Sequence, residues 1–434
     1  MKICVQGLWH LGSVTAACMA SIGHHVFGLD PDAVTIEKLS RGTAPISEPG
    51  LDQLIQAGLD SGRLRFTCDT RLALSDAEVL WVAYDTPVDE DDRADVDYVI
   101  AEVRRVLPHL QVGALVLLSS QLPVGSVKRL EHAAAHDFPE KYLTFACSPE
   151  NLRLGKALEV FMKRDRIIIG ARSEADRERL RVMLSALNAP IEWMSVESAE
   201  MTKHAINGFL ATSVTFANEL AAICELVGAD AKEVERGLKT ESRIGPGAYL
   251  SPGAAFAGGT LARDIAFLTS LGREERLTTP LLSSVKFSND EHKNWARRKL
   301  RSLLPKLHES KVAVWGLTYK PGTDTLRRSV AVELCDWLLD MGAYVVVHDP
   351  VAREIPARWA GKVERVDSPL AALCDCQALV VATEWPIYRE IEGEQITAVA
   401  PRIAVFDASR YLARLANVPG INYVAVGSPQ QESA

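Results

Sequence analysis

The turn Gly7-Leu8-Trp9-His10-Leu11-Gly12 follows a strand-like run and opens an amphipathic stretch, and Asp30 closes the next apolar run. Glycines at such a turn let backbone N–H groups at a helix start hold a diphosphate, and an acidic residue about twenty positions on accepts from a ribose hydroxyl. The middle glycine of that pattern, which brings the backbone close to the diphosphate, is replaced by Trp9. Two readings stay open here: a dinucleotide held with the indole turned outward, or a Rossmann unit whose cofactor site is filled in. A second candidate is the stretch 240–259, rich in Gly, Pro and Ala, because a loop of that length in a globular chain is usually functional.

The elements that would position these residues are legible as periodicity. Strands are expected at residues 3–6, 26–29, 79–83, 114–118, 142–147 and 166–170, and again at 312–315, 344–348, 378–382 and 404–406, alternating with amphipathic stretches. Such alternation predicts parallel sheets, so the fold class is α/β: two Rossmann-like units joined by a central helical segment. Apolar residues at helical spacing predict long helices over 196–227 and 279–308, and the tail 428–434 should be frayed. The expected domains are 1–195, 196–308 and 309–434. The two α/β parts echo each other: Val5-Gln6-Gly7-Leu8 leading to Asp30-Pro31 parallels Val314-Trp315-Gly316-Leu317 leading to Asp349-Pro350.

Composition bounds the partners. With 434 residues, 47% hydrophobic and 24% charged, and with a mean hydropathy close to zero, the chain reads as a soluble globular protein of two or three domains. A net charge of −8 argues against a nucleic-acid surface, and no run of apolar residues reads as a membrane span. Eight scattered cysteines, most within apolar runs, suit a reducing cytosol. Cys374 and Cys376 lack a neighbouring His or second Cys pair, so no metal site is expected. Trp315, Trp337 and Trp385 are expected to pack rather than to stack on a base.

Several blocks carry a resemblance along the whole chain. They are Glu48-Pro49-Gly50-Leu51, Thr86-Pro87 followed by Asp95, Pro123-Val124-Gly125, Pro149-Glu150-Asn151-Leu152-Arg153 and Asp165-Arg166-Ile167-Ile168-Ile169-Gly170. Further on come Lys203-His204-Ala205-Ile206-Asn207, Arg243-Ile244-Gly245, Phe256-Ala257-Gly258-Gly259 with Asp264, Gly316-Leu317-Thr318-Tyr319-Lys320-Pro321 with Arg327, and Thr383-Glu384-Trp385. In order and spacing they resemble the UDP-glucose/GDP-mannose dehydrogenase family.

The resemblance implies a cytosolic, NAD-dependent enzyme of polysaccharide biosynthesis that oxidises C6 of a UDP- or GDP-linked sugar twice, through an aldehyde to an acid. It assigns Lys203 and Asn207 to stabilising oxyanion character, a task suited to a cation and an amide donor one helical turn apart. Asp264 and Glu150 are assigned to proton handling and water activation. It assigns Gly7, Leu11, Gly12, Asp30, Thr86 and Arg327 to the cofactor. Leu152, Arg243, Tyr249, Phe256, Gly259 and Lys320 are assigned to the nucleotide sugar, with Arg243 often supplied by a neighbouring subunit.

Besides Trp9, three positions depart from the pattern. Thr260 stands where the family carries its catalytic cysteine, and a threonine hydroxyl needs an adjacent base before it attacks an aldehyde. Gln121 stands where a small hydroxyl residue is usual, and Arg263 replaces a lysine. The sequence therefore carries two readings: an oxidoreductase whose thiol-dependent second step is slow or lost, and a non-catalytic nucleotide-sugar-binding or scaffold protein. The long apolar helix predicts a homodimer, or else a helix bridging two sheets within one chain.

Overall fold

The computed structural model describes residues 1–86, 94–150, 152–256 and 259–429. Pro87, Asn151, Ala257, Gly258 and the end of the tail, quoted above, lie outside the described residues. The chain divides into two compact units, Met1–Ile206 and Asn207–Ala434, and the division falls inside a single long helix, Val196–Val227.

The first unit carries strands β1 (Lys2–Gln6), β2 (His25–Leu29), β3 (Leu64–Thr67), β4 (Val79–Val82), β5 (Leu115–Leu118), β6 (Thr144–Cys147), β7 (Ile167–Ala171) and β8 (Ile191–Met194). They form one sheet in the order β3-β2-β1-β4-β5-β6-β7-β8. Every pair is parallel except β6 against β7, so the expected parallel-sheet unit carries one antiparallel pair. Central strands such as Val79–Val82 and Leu115–Leu118 are apolar throughout because helices cover both faces. Val79 and Trp81 pack into one core while Leu80 and Val82 pack into the other, as the two-residue strand period requires.

In the second unit β9 (Lys311–Trp315), β10 (Tyr344–His348), β11 (Val363–Arg365), β12 (Ala378–Val381), β13 (Ile403–Asp407) and β14 (Ile421–Val424) form an all-parallel sheet in the order β11-β10-β9-β12-β13-β14. Both sheets reverse their strand order beside the first strand of the unit, between β1 and β4 and between β9 and β12, and ligands of open α/β sheets sit at the carboxyl ends beside such a reversal.

The repeat seen in sequence is real in hydrogen bonds. Gly7 N donates to the Leu29 carbonyl at 3.0 Å and Gly316 N to that of His348 at 2.8 Å. Leu8 N donates to Asp30 Oδ2 at 2.8 Å and Leu317 N to Asp349 Oδ2 at 2.7 Å.

The long helix Val196–Val227 matches its expected span, but the second helical stretch does not run unbroken. It forms two helices, Pro280–Lys293 and Trp295–Leu303, hinged at Asn294. Helices Ala231–Thr240 and Gly259–Glu274 flank the Gly/Pro-rich loop. Helix Val196–Val227 is also long and apolar enough to cross a membrane, which corrects the expectation that no segment is. Its polar side chains are nonetheless engaged within the protein: Asn218 accepts from Gly253 N, and Glu225 accepts from Trp295 Nε1 and Gly427 N.

Candidate active site

The first site is built at the carboxyl ends of β1 and β4. Gly7 adopts a φ of +87°, and a Cβ at Gly12 would lie 1.6 Å from the Gly7 carbonyl oxygen, so the close crossing of turn and helix His10–Ser21 admits glycine only. Trp9 precedes the helix, is 51% exposed, and lines a recess of about 250 Å³ together with Gly7, Leu8, Asp30, Tyr84 and Asp85. Asp30 binds the turn through Leu8 N and also accepts from Asp32 N at 2.9 Å. Leu11 N, in the first turn of the helix, donates to Asp85 Oδ2 at 3.1 Å. His10 Nε2 lies 3.0 Å from Glu48, whose carboxylate also accepts from Gly155 N and Ala157 N. Glu48 of the Glu-Pro-Gly-Leu block therefore ties the turn to a second segment, an arrangement that no periodicity announces.

Other assigned residues of this unit take up distinct positions. Thr86 is buried and donates its hydroxyl to the Gln121 carbonyl at 2.9 Å. Glu150 is ion-paired with Arg164 at 2.6 Å, and both side chains are almost fully enclosed. The guanidinium also lies 4.0 Å from the centre of the Phe161 ring, and its Nε donates to the Phe161 carbonyl. Leu152 packs against the core of this unit. Lys203 is half-buried on the long helix, and the neighbouring His204 donates Nε2–H to the Leu122 carbonyl at 3.0 Å.

In the second unit Asn207 and Asp264 meet. The Asn207 Nδ2 donates to Asp264 Oδ2, and both residues are buried. Asp264 is placed by helix Gly259–Glu274, whose first turn carries Thr260 exposed. That helix and the long one approach closely at Gly208, where a Cβ would come within 2.9 Å of Leu268. Arg243 is exposed and paired with Glu241, Tyr249 is exposed, and Lys320 is half-buried with its ammonium 5.4 Å from the centre of the Tyr319 ring. Arg327 is exposed. A recess of 130 Å³ lies at the carboxyl ends of β9, β12 and β13, bordered by Ala254, His292, Thr318 and Phe406.

Sequence reasoning missed the groups that fix the Gly/Pro-rich loop. Asn289 holds Phe256 through both backbone groups, at 2.9 and 3.0 Å, and Asn218 and His292 hold the two sides of Gly253. The signal was present as polar residues on otherwise apolar helix faces: Val285, Asn289 and His292 share one buried stripe.

Burial pushes the Cys18 thiol up to about 12, with Arg164 drawing it down and Glu150 pushing it further up, and burial likewise raises Cys4, Cys147, Cys335 and Cys376.

Two doubly wound units, each with a glycine turn and an aspartate at its switch point, define a nucleotide-binding α/β scaffold. The chain belongs to the UDP-glucose/GDP-mannose dehydrogenase family, matching its NAD binding domain over residues 1–188, its central domain over 197–291 and its UDP binding domain over 313–414. It is 33% identical to a UDP-glucose 6-dehydrogenase of Pseudomonas aeruginosa, over 99% of this chain and 98% of that one. A Rhizobium meliloti enzyme of the same description is also 33% identical, over 99% and 100%. The solved UDP-glucose dehydrogenase of Pyrobaculum islandicum superposes with a TM-score of 0.88 at 32% identity, covering 98% of this chain and 97% of that one. NAD is the cofactor and a nucleotide sugar the substrate.

Proposed function

We propose that the chain oxidises the C6 alcohol of a UDP- or GDP-linked sugar to the aldehyde, and that its thiol-dependent second oxidation is impaired or absent. The observation that carries this reading is the buried Asn207–Asp264 pair beside an exposed Thr260. A decayed site would not be expected to keep a costly buried amide–carboxylate contact while losing only its nucleophile.

NAD+, when bound, supplies the hydride acceptor. Leu8, Leu11 and Asp30 would hold its diphosphate and ribose at the first-unit turn. As the C6 hydride leaves, the C6 hydroxyl passes its proton to a water beside the Asp264 carboxylate and so to solvent, and the Lys203 ammonium and the Asn207 amide stabilise the oxygen as negative charge develops on it. Asp264 fixes the Asn207 amide, so the donor is oriented before substrate arrives. The aldehyde then leaves as such, or adds water to form a hydrate whose oxidation needs no covalent attachment.

Counting NADH formed per nucleotide sugar tests this reading. About one supports aldehyde as the end product, about two supports the hydrate route, and none leaves the second reading, a non-catalytic nucleotide-sugar-binding protein. That reading draws its support from Asp85, which sits on a helix start where a diphosphate belongs.

A homodimer is part of the same proposal. Phe209, Phe216 and Ile223 recur one heptad apart on the long helix and are exposed, as is Leu226, a stripe suited to packing against a second copy. Sedimentation would give twice the chain mass, and Phe216→Glu would reduce it. We place the enzyme in the cytosol, where its eight unpaired cysteines stay reduced.

A further inference from the structure

We infer that Asp85 is a built-in occupant of the cofactor's diphosphate position, so that the chain competes with NAD for its own binding turn. The inference rests on the assignment of that turn to NAD and concerns how the turn is kept in the absence of the dinucleotide.

The start of helix His10–Ser21 offers N–H groups with no partner inside the helix, and the helix dipole favours an anion there. The helix does not satisfy this need itself. Its cap residue Trp9 makes no side-chain cap, and its first turn carries no acidic residue. The anion comes instead from across the switch point, where Asp85, three residues beyond the end of β4, accepts from Leu11 N at 3.1 Å. Asp85 is exposed, so it can be displaced without unpacking the core.

The other two carboxylates of the same recess hold other backbone groups. Asp30 takes Leu8 N and Asp32 N, and Asp32 caps helix Ala33–Ser40 through Val34 N and Thr35 N. Asp85 alone of the three faces the helix start where a dinucleotide's two phosphates would bind, and like charges cannot share that position.

The repeat supplies an internal comparison. The residue at the place of Asp85 in the second unit is Glu384, which is exposed, and there the turn amides of Leu317 and Thr318 both go to Asp349. The second unit has no helix start at that place, and the Asp85–Leu11 contact belongs to the unit whose turn opens directly into a helix.

Two states follow: a capped one, with Asp85 on Leu11, and an open one able to take the diphosphate. The apparent affinity for NAD is the intrinsic affinity scaled by the open fraction. For an exposed carboxylate at a helix start this amounts to a weakening on the order of threefold to tenfold.

The test is a calorimetric titration of the full-length chain with NAD+, comparing wild type, Asp85→Ser, Asp85→Asn and Asp32→Ser. Asp85→Ser should bind about threefold to tenfold tighter, with Asp85→Asn between it and wild type, while the thermal midpoint of the ligand-free Asp85→Ser protein falls through loss of the cap. Asp32→Ser, which removes a charge from the same recess without uncapping Leu11, should change affinity by less than twofold. The inference is overturned if wild type binds NAD+ and Asp85→Ser binds no tighter, or if Asp32→Ser tightens binding equally, which would make the effect one of general charge. Binding by none of the four proteins would instead sink the assignment of this turn to NAD, and the competition with it.

Discussion

The guanidinium of Arg164 lies 2.6 Å from the carboxylate of Glu150, and the two side chains are only 10% and 6% exposed. A carboxylate held this way is fixed in position, and among the described residues one buried guanidinium nitrogen, Nη2, has no hydrogen-bond partner. Such a pair contributes little by existing and costs much when broken, because the surviving charge is left buried alone.

Replacing Arg164 with methionine is therefore expected to destabilise the chain by about 3–5 kcal/mol. The double variant Arg164→Met, Glu150→Gln should cost clearly less than the sum of the single changes. Denaturant unfolding of the four proteins gives the coupling, and simple additivity would contradict the pairing.

Restoring a thiol at the start of helix Gly259–Glu274 should restore the second oxidation. Thr260→Cys is expected to raise NADH formed per nucleotide sugar from about one towards two, with a covalent adduct detectable by mass spectrometry of the quenched enzyme. An unchanged ratio would mean that the surroundings of position 260 no longer support attack on an aldehyde.

Asn207→Ala removes the amide donor that Asp264 orients. A loss on the order of 10²-fold to 10³-fold in kcat with a much smaller change in KM is expected if that donor acts on developing charge. A matched rise in KM with kcat preserved would reassign Asn207 to ground-state binding.

Stability should fall on mild acidification. Burial holds His292 and His348 below the ordinary histidine range, opposed at His292 by the Gly253 carbonyl and at His348 by Asp349. The unfolded chain takes up these protons near pH 6.5 while the folded chain does not, so it binds more protons below that pH and folding free energy drops as pH falls. The slope is at most about 1.4 kcal/mol per pH unit for each histidine. Denaturant midpoints between pH 7.5 and 5.5 measure it, and His348→Gln should flatten the curve.

The strands that periodicity located and those it missed divide along a physical line. All ten expected strands are present. The four missed, β3, β8, β11 and β14, are the two edges of each sheet. Inner strands are buried on both faces and read as unbroken apolar runs, whereas edge segments such as Ile191-Glu192-Trp193-Met194 and Val363-Glu364-Arg365 carry charge at the exposed positions. The break at Asn294 was hidden because its neighbours on both sides keep helical spacing.

At the site, the glycine turn and Asp30 were legible because their chemistry is local. Most of the remaining candidates were legible only through the family resemblance. The partners Arg164 for Glu150 and Asp85 for Leu11 were not legible, since each comes from a distant segment and neither spacing nor composition ties it to the residue it meets.

The two units share a sheet order but not a helix start. In the first, the helix begins at His10, directly after the turn at Gly7. In the second, the corresponding helix begins at Val330, and Ser329 caps it through Ala331 N and Val332 N. The second turn opens into no helix and so presents no helix dipole to a diphosphate, which leaves one dinucleotide site per chain and not two. Saturation at one NAD per chain is the stoichiometry this asymmetry dictates, and a titration reaching two would contradict it.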